Sequence, residues 1–348
     1  MNLKQLAAHL NLSQTTVSRA LNGYPEVSEQ TRKRVAEAAQ ALNYAPNARA
    51  KGLATGRAMA IGHVIPISTQ HQMMNPVFGD FIAGASEEYV KAGYDMTLSV
   101  TGDRDEEENY RRLKAKGNVD GIIVHGPSMH DGRIPFLRKL GLPFVVHGRA
   151  SELETAYSWV DMNNTHAFQR ATNFLLDLGH RRIGLINGLE FMDFAYRRRL
   201  GFEQALTARG VAPDPALLAS GEMTESYGFE AAQRLLALPE PPTALLTSSV
   251  IAAIGIRRAI HAAGLEMGRD VSVITHDDDL SFLRNGPDLP IFTATRSSVY
   301  EAGRIAAAML LAHIEDPILP AQSRLLEAQL IIGGSTGPVP SSAPASAN

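Results

Sequence analysis

The sequence predicts an α/β protein: a three-helix helix-turn-helix headpiece followed by a two-lobed, doubly wound domain. Three observations carry this. Residues 1–42 hold three short apolar stripes at helical spacing, separated by turn and cap residues. From Ala60 onward, short apolar runs alternate with helix-like stretches, in two successive series. The charge is also split. Residues 1–60 hold eight basic and three acidic side chains, a net of +5, which leaves −8 for the rest of a chain whose total is −3. A basic head on an acidic body is the electrostatic pattern of a nucleic-acid-binding arm.

A length of 348 residues allows two to three domains, and 45% hydrophobic with 20% charged residues is a globular composition. The chain has no cysteine, which excludes disulfides, thiolate metal sites and a catalytic thiol. Its N-terminus lacks a basic-then-apolar leader pattern, and no apolar run approaches about 18 residues. A cytoplasmic protein with no membrane contact is expected. The same features count against a solute-binding protein of transport, the nearest rival architecture.

In the first helix Leu3, Leu6, Ala7 and Leu10 form one apolar face, and Asn11-Leu12 ends it. Ser13 is placed to cap the second helix, which turns Val17, Ala20 and Leu21 inward and leaves Gln14, Thr15, Ser18, Arg19 and Asn22 outside. Gln pairs bidentately with adenine and Arg with guanine, while hydroxyls reach phosphates, so this face suits the DNA major groove. An ordinary amphipathic pair with solvated polar residues is the bland alternative. Ser28 is positioned to cap a third helix, with Val35, Ala38, Ala39 and Leu42 repeating the stripe. Within residues 43–53, NYAPNARAKGL, Ala48–Leu53 is expected to form one or two helical turns made marginal by Gly52 and Gly56, with a bland linker as the alternative.

Leu6-Ala7, Ser13 with Thr16-Val17-Ser18-Arg19, Leu21-Asn22, Val27-Ser28, Thr31-Arg32, Val35, Leu42-Asn43-Tyr44, Pro46-Asn47, Ala50 and Leu53 together resemble the LacI/GalR family of bacterial repressors. The resemblance implies that Ser13, Gln14, Thr15, Thr16, Ser18, Arg19 and Asn22 contact DNA from the recognition helix. It implies the same for Asn47, Ala50 and Leu53 from a hinge, Leu53 being the leucine that wedges into the minor groove. Lys4-Gln5 departs from the family's usual acidic residue, which questions the capping of the first helix. The domains implied are a headpiece (1–45), a hinge (46–57), a two-lobed effector-binding and dimerisation domain (58–336) like that of periplasmic sugar-binding proteins, and a disordered tail (337–348).

Within the large domain, strands are expected at Ala60–Ile67, Asp95–Val100, Gly121–His125, Pro143–His147, Arg182–Asn187, Thr243–Ser249 and Val271–His276. Helices are expected at Phe78–Gly93, Glu106–Lys116, Ala195–Arg209, Tyr227–Leu238 and Ala252–Ala263. Ligands in open α/β sheets bind beyond the carboxyl ends of the strands. That rule selects His147-Gly148-Arg149, Ser248-Ser249, His276-Asp277-Asp278, Arg296-Ser297, Asn75 and Phe78, with Asp193, Phe194, Tyr196 and Arg198 opening a helix. Planar bidentate groups beside aromatic faces suit a sugar. By resemblance, Asp277 matches the family's effector-contacting aspartate and Ser249 its ligand-bonding asparagine. Tyr196 stands where an arginine is common, Met223 where some members carry tryptophan, and Gly148 replaces a frequent aspartate. The effector set expected is therefore Asn75, Phe78, His147, Arg149, Phe194, Tyr196, Arg198, Ser249, Asp277 and Arg296.

Gly333–Gly337 matches G-x-S-x-G, but Pro338 follows and no histidine lies downstream, so it is no nucleophile elbow. The resemblance implies a homodimeric repressor of carbohydrate metabolism without enzyme activity, cofactor or metal. A small sugar, such as an α-glucoside or other oligosaccharide, would release it from a pseudopalindromic operator. A nucleobase-responsive or corepressed regulator of the same architecture is the alternative.

Overall fold

The computed structural model describes residues 1–21, 23–44, 56–66, 76–102, 105–286 and 289–340. Most of the expected hinge, with Asn47, Ala50 and Leu53, lies outside them, as do Asn22, Asn75 and residues 341–348.

The headpiece contains α1 (Leu3–Leu10), α2 (Gln14–Leu21) and α3 (Glu29–Ala41). Each start is capped by a side chain. Asn2 and Gln5 form a reciprocal box in which the Asn2 Oδ1 accepts from Gln5 N and the Gln5 Oε1 accepts from Asn2 N. Gln5 thus completes the cap of α1. The Ser13 Oγ accepts from Thr16 N at 3.0 Å, and the Ser28 Oγ accepts from Thr31 N at 3.3 Å. Leu6, Ala7, Leu10, Val17, Ala20, Val27, Val35 and Ala39 form the buried core. Arg34 donates to the Leu10 carbonyl at 2.8 Å, closing the end of α1 with α3.

The large domain holds two six-stranded sheets. The first lobe runs β1 (Ala60–Pro66), α4 (Pro76–Ala92), β2 (Asp95–Thr101), α5 (Glu106–Ala115), β3 (Gly121–His125), α6 (Arg133–Leu140), β4 (Phe144–His147) and β5 (Trp159–Met162). The chain then enters the second lobe with α7 (Asn164–Asp177), β6 (Ile183–Asn187), α8 (Asp193–Ala208), β7 (Leu218–Ser220), α9 (Glu225–Leu236), β8 (Ala244–Thr247), α10 (Val250–Ala262), β9 (Ser272–Asp277) and β10 (Thr293–Arg296). It returns to the first lobe for α11 (Val299–Glu315) and β11 (Ser323–Leu326), then ends in the second with β12 (Gln329–Ile331).

Strand order is β11-β5-β4-β3-β1-β2 in one sheet and β12-β10-β9-β8-β6-β7 in the other. All pairings are parallel except β10–β12. The chain therefore passes between lobes three times, near Asn163, near Ser297-Ser298 and near Glu327-Ala328. Ser323–Leu326 and Gln329–Ile331 are short strands in different sheets, two residues apart. Such a connection pins two sheets together with little slack.

The serine of the G-x-S-x-G match proves structural. Ser335 is fully buried; its Oγ donates to the Val273 carbonyl and accepts from Thr293 N, stapling the chain across β9 and β10. The start of the expected disordered tail is also held: Gly337 N donates to Ser272 Oγ at 3.1 Å and Val339 N to the Leu178 carbonyl at 3.0 Å.

Candidate functional site

Two surfaces concentrate the candidate functional side chains. On α2, Gln14, Thr15 and Arg19 are exposed, while Val17 and Ala20 anchor the helix from below. Ser13 and Thr16 share a hydroxyl–hydroxyl bond of 2.8 Å at the helix start, and Ser18 is half-buried. The three exposed side chains present paired donors and acceptors from a rigid, capped helix.

The second surface is a cavity of about 210 Å³ between the lobes of the large domain. The carboxyl ends of both sheets face it. From the first lobe come Phe78 and Phe81 of α4, His125, His147, Arg149 and Asp161. From the second come Asn164, Phe194, Arg198, Ser248, His276 and Asp278, with Ser297 at a crossing.

The first-lobe wall is built of stacked rings. Phe81 lies on His147 with centroids 4.3 Å apart, and Phe78 and Phe81 meet His125 edge-on at 5.0 and 4.9 Å. Behind them His63 bonds His125 Nε2 through Nδ1 at 3.0 Å and the Tyr89 hydroxyl through Nε2 at 3.1 Å. Burial drives His63 down to about 3 and His147 to about 4, and burial with neighbouring imidazoles puts His125 well below its ordinary value. All three rings are neutral at pH 7. A neutral imidazole carries one N–H, so the Tyr89–His63–His125 chain can run in either direction. The remaining His125 nitrogen is a donor in one direction and an acceptor in the other.

The second-lobe wall is charged and fixed. Arg198 is buried, donates to Asn164 Oδ1 at 2.8 Å and to the Ser248 carbonyl at 2.6 Å, and stacks its guanidinium 4.9 Å from the Phe194 ring centroid. Burial lowers it to about 10, so it stays cationic at neutral pH. Burial pushes the Asp278 carboxyl up, but His276 and Arg198 outweigh that and hold it below the usual range. In the first lobe Asp161 is raised by burial, against the opposing charge of Arg149, whose Nε donates to it at 2.7 Å.

Phe78, His147, Arg149, Phe194 and Arg198 are thus brought together as expected from the sequence, and four others are not. Asp277 is buried and accepts from Asp279 N at 2.9 Å, facing away from the cavity; Asp278 occupies the cavity wall instead. Ser249 spends its Oγ capping α10 through Ile251 N, and the cavity receives Ser248. Both corrections are shifts of one residue. Consecutive side chains at a strand end point to opposite sides, so a one-position difference moves a group from the cavity wall to the scaffold. Tyr196 is 40% exposed and lines no part of the cavity. Arg296 pairs with Asp279 and, with Asp277, borders a separate pocket. Gly148 does line the cavity, at φ +111°, and a Cβ there would meet the Pro127 ring at 2.7 Å. A side chain at this position has no room in this backbone.

The lobes meet around the cavity rim. The Asp80 carboxylate accepts from Ser281 N and Oγ, both at 2.7 Å, and the Asp193 carboxylate accepts from Ser151 N at 2.8 Å. Asp193 N also donates to the Pro127 carbonyl at 3.1 Å. Among the described residues no group of three or more metal-ligating side chains converges, and no helix is long and apolar enough to cross a membrane.

Residues 2–47 match the model of bacterial regulatory proteins of the lacI family, and residues 172–336 match that of a periplasmic binding protein-like domain. The chain is 45% identical over 344 residues to the HTH-type transcriptional regulator AglR of Rhizobium meliloti (strain 1021), covering 99% of this chain and 96% of that protein. It is 33% identical over 344 residues to the HTH-type transcriptional repressor CytR of Escherichia coli (strain K12), covering 97% of each. Among solved structures, a complex of the transcriptional regulator CelR with cellobiose aligns at 27% identity and a TM-score of 0.72, covering 96% of this chain and 99% of that one.

Proposed function

The chain belongs to the lacI family of bacterial regulatory proteins, DNA-binding transcriptional regulators and not enzymes, and we propose that it represses genes of carbohydrate use and leaves its operator when a neutral saccharide fills the interlobe cavity. One observation carries the ligand class: the cavity's charges cancel. Arg149 and Arg198 stand against Asp161 and Asp278, and the imidazoles are uncharged. An anionic ligand would have to displace one of the carboxylates, whereas a polyhydroxylated neutral ring can both donate to Asp278 and accept from Arg198. The rings of Phe78, Phe81 and Phe194 offer faces for its C–H surface. The complex of CelR with cellobiose, a relative over nearly the whole chain, supports the same class.

In this reading Gln14, Thr15 and Arg19 read bases, and Ser13, Thr16, Ser18 and Asn22 hold the backbone. Asn47, Ala50 and Leu53 engage the minor groove from the hinge. A ligand that binds the closed lobes better shifts the population away from the operator-bound form; a coupling of about 1–3 kcal/mol changes operator affinity about 5–150-fold. Two copies would read a two-fold operator. An exposed stripe supports self-association: Met96, Leu98 and Val100 alternate along the edge strand β2, beside exposed Val90 of α4. Sedimentation of the full chain as a stable monomer at micromolar concentration would remove that part.

The test is a thermal-shift series with neutral mono- and disaccharides, uronates and nucleosides, repeated with DNA from the protein's own promoter region. A neutral saccharide should raise the melting temperature and weaken DNA binding. If only uronates or nucleosides do so, the carbohydrate assignment fails while the DNA-binding assignment stands. A ligand that tightens DNA binding makes it a corepressor and overturns the release mechanism.

A further inference from the structure

Beside the interlobe cavity, and separated from it by Arg149, lies a second pocket of about 360 Å³. Its walls include Ser151, Tyr157, Trp159 and Gln322 from the first lobe and Arg197 from the second. Among the described residues no aspartate or glutamate lines it. The two arginines are held from behind: Arg149 Nε donates to Asp161 at 2.7 Å and Arg197 Nε to Asp193, and both carboxylates are buried. Arg149 also lies over Trp159, its guanidinium carbon 4.8 Å from the ring centroid. Neither arginine donates through its terminal Nη nitrogens to any described residue.

We propose that this pocket is an anion site for a phosphoryl group, gripped by Arg149 of the first lobe and Arg197 of the second. A guanidinium with its Nε spent on a carboxylate still offers its two Nη groups, whose fork matches the oxygens of a phosphate. Trp159 and the buried carboxylates fix both forks in place, so little side-chain entropy is lost on binding. The Gln322 side chain adds a neutral donor. Because its two charged walls come from different lobes, an occupant tethers them to one another. The site favours the closed arrangement, and because Arg149 lines both pockets its occupancy is coupled to that of the larger cavity. The phosphoryl group can belong to inorganic phosphate or to a phosphorylated metabolite, and the same chemistry serves both.

Trp159 is the only tryptophan in the chain, so its emission reports on this pocket directly. The full-length protein is titrated with sodium phosphate, and separately with glucose 6-phosphate, at ionic strength held constant with sodium chloride. The expected result is a saturable change in emission with half-saturation at roughly 1 mM or below. The change should be weakened at least about tenfold in Arg197→Gln and in Arg197→Lys. The lysine variant keeps a cation beside Asp193 and so guards against simple loss of fold. Tighter binding of glucose 6-phosphate than of phosphate identifies a metabolite as the source, and equal binding identifies the free ion. No saturable change up to about 50 mM phosphate, or an equal response in both variants, overturns the proposal.

Discussion

The two lobes share a strand order, yet they present opposite chemistry to the cavity between them. The first lobe offers imidazoles that burial keeps neutral, packed on Phe78 and Phe81 and backed by a hydrogen-bonded chain whose direction can reverse. The second offers Arg198 and Asp278, each ionised and each held by groups of its own lobe or of the crossing segment. One wall adapts and the other is rigid. A ligand docked on the charged wall would have its orientation fixed by charge-assisted bonds, and the ring-lined wall could then close on it with its own charges, Arg149 and Asp161, already paired to one another. The same fold can thus serve different ligands by changing the adaptable wall alone.

The contrast shows most strongly in acid. His147 titrates near its ordinary 6.5 when unfolded and is held at about 4 when folded, with Asp278 the one charge that opposes the shift. The folded state therefore binds fewer protons between these values. Its contribution to stability is complete above pH 6.5 and is lost as the pH falls toward 4. His63, held at about 3 by burial, behaves in the same way over a wider window. Urea denaturation of the wild type and of His147→Phe, which keeps the stack on Phe81, isolates one histidine. The stability difference between them should shift in favour of the variant by about 3 kcal/mol between pH 7 and pH 4. Parallel pH profiles would mean that His147 is not sequestered, and the two walls would lose their distinction.

On the charged wall, Asp278→Asn removes an ionised acceptor while preserving shape. A hydrogen bond to a charged group contributes about 1.5–3 kcal/mol, so ligand affinity should fall about 10–150-fold in calorimetric titration, with operator binding unchanged. Asp277→Asn should leave ligand affinity as it was, since that side chain faces the Asp279 backbone. The reverse order would restore Asp277 to the site and dismantle the second-lobe wall as described.

The sequence made the architecture legible because its strands are short apolar runs closed by polar residues. Ala60–Pro66, Gly121–His125 and Ile183–Asn187 fall where those runs predict. Other elements carry weaker signals. Trp159–Met162 alternates too briefly to stand out, and α7 and α11 begin at crossings between the lobes. Yet Ser298 with Glu301 three residues later is a capping signature, and Ser298 does accept from Glu301 N at 3.3 Å. In the site, the strand-end rule points to loops that line the cavity but does not tell which of two adjacent polar residues turns inward. That depends on where each strand stops, which is decided by pairing with its neighbours. His63 and Tyr89 carried no local signal, because a histidine inside an apolar strand acquires its partner only when α4 packs across the sheet.

The smallest effect tests the adaptable wall itself. His147 makes its contact through the ring face and offers one neutral donor or acceptor, and a neutral hydrogen bond contributes about 0.5–1.5 kcal/mol. His147→Phe should therefore weaken the ligand only about 2–12-fold, an order of magnitude less than Asp278→Asn, in the same titration at pH 7. The loss should also be uneven across ligands: greatest for a sugar with a hydroxyl opposite the imidazole, and absent for its deoxy counterpart. A loss as large as that of Asp278→Asn would mean that the first lobe also fixes the ligand's orientation, and a single rigid clamp would replace the pairing of one fixed wall with one that adapts.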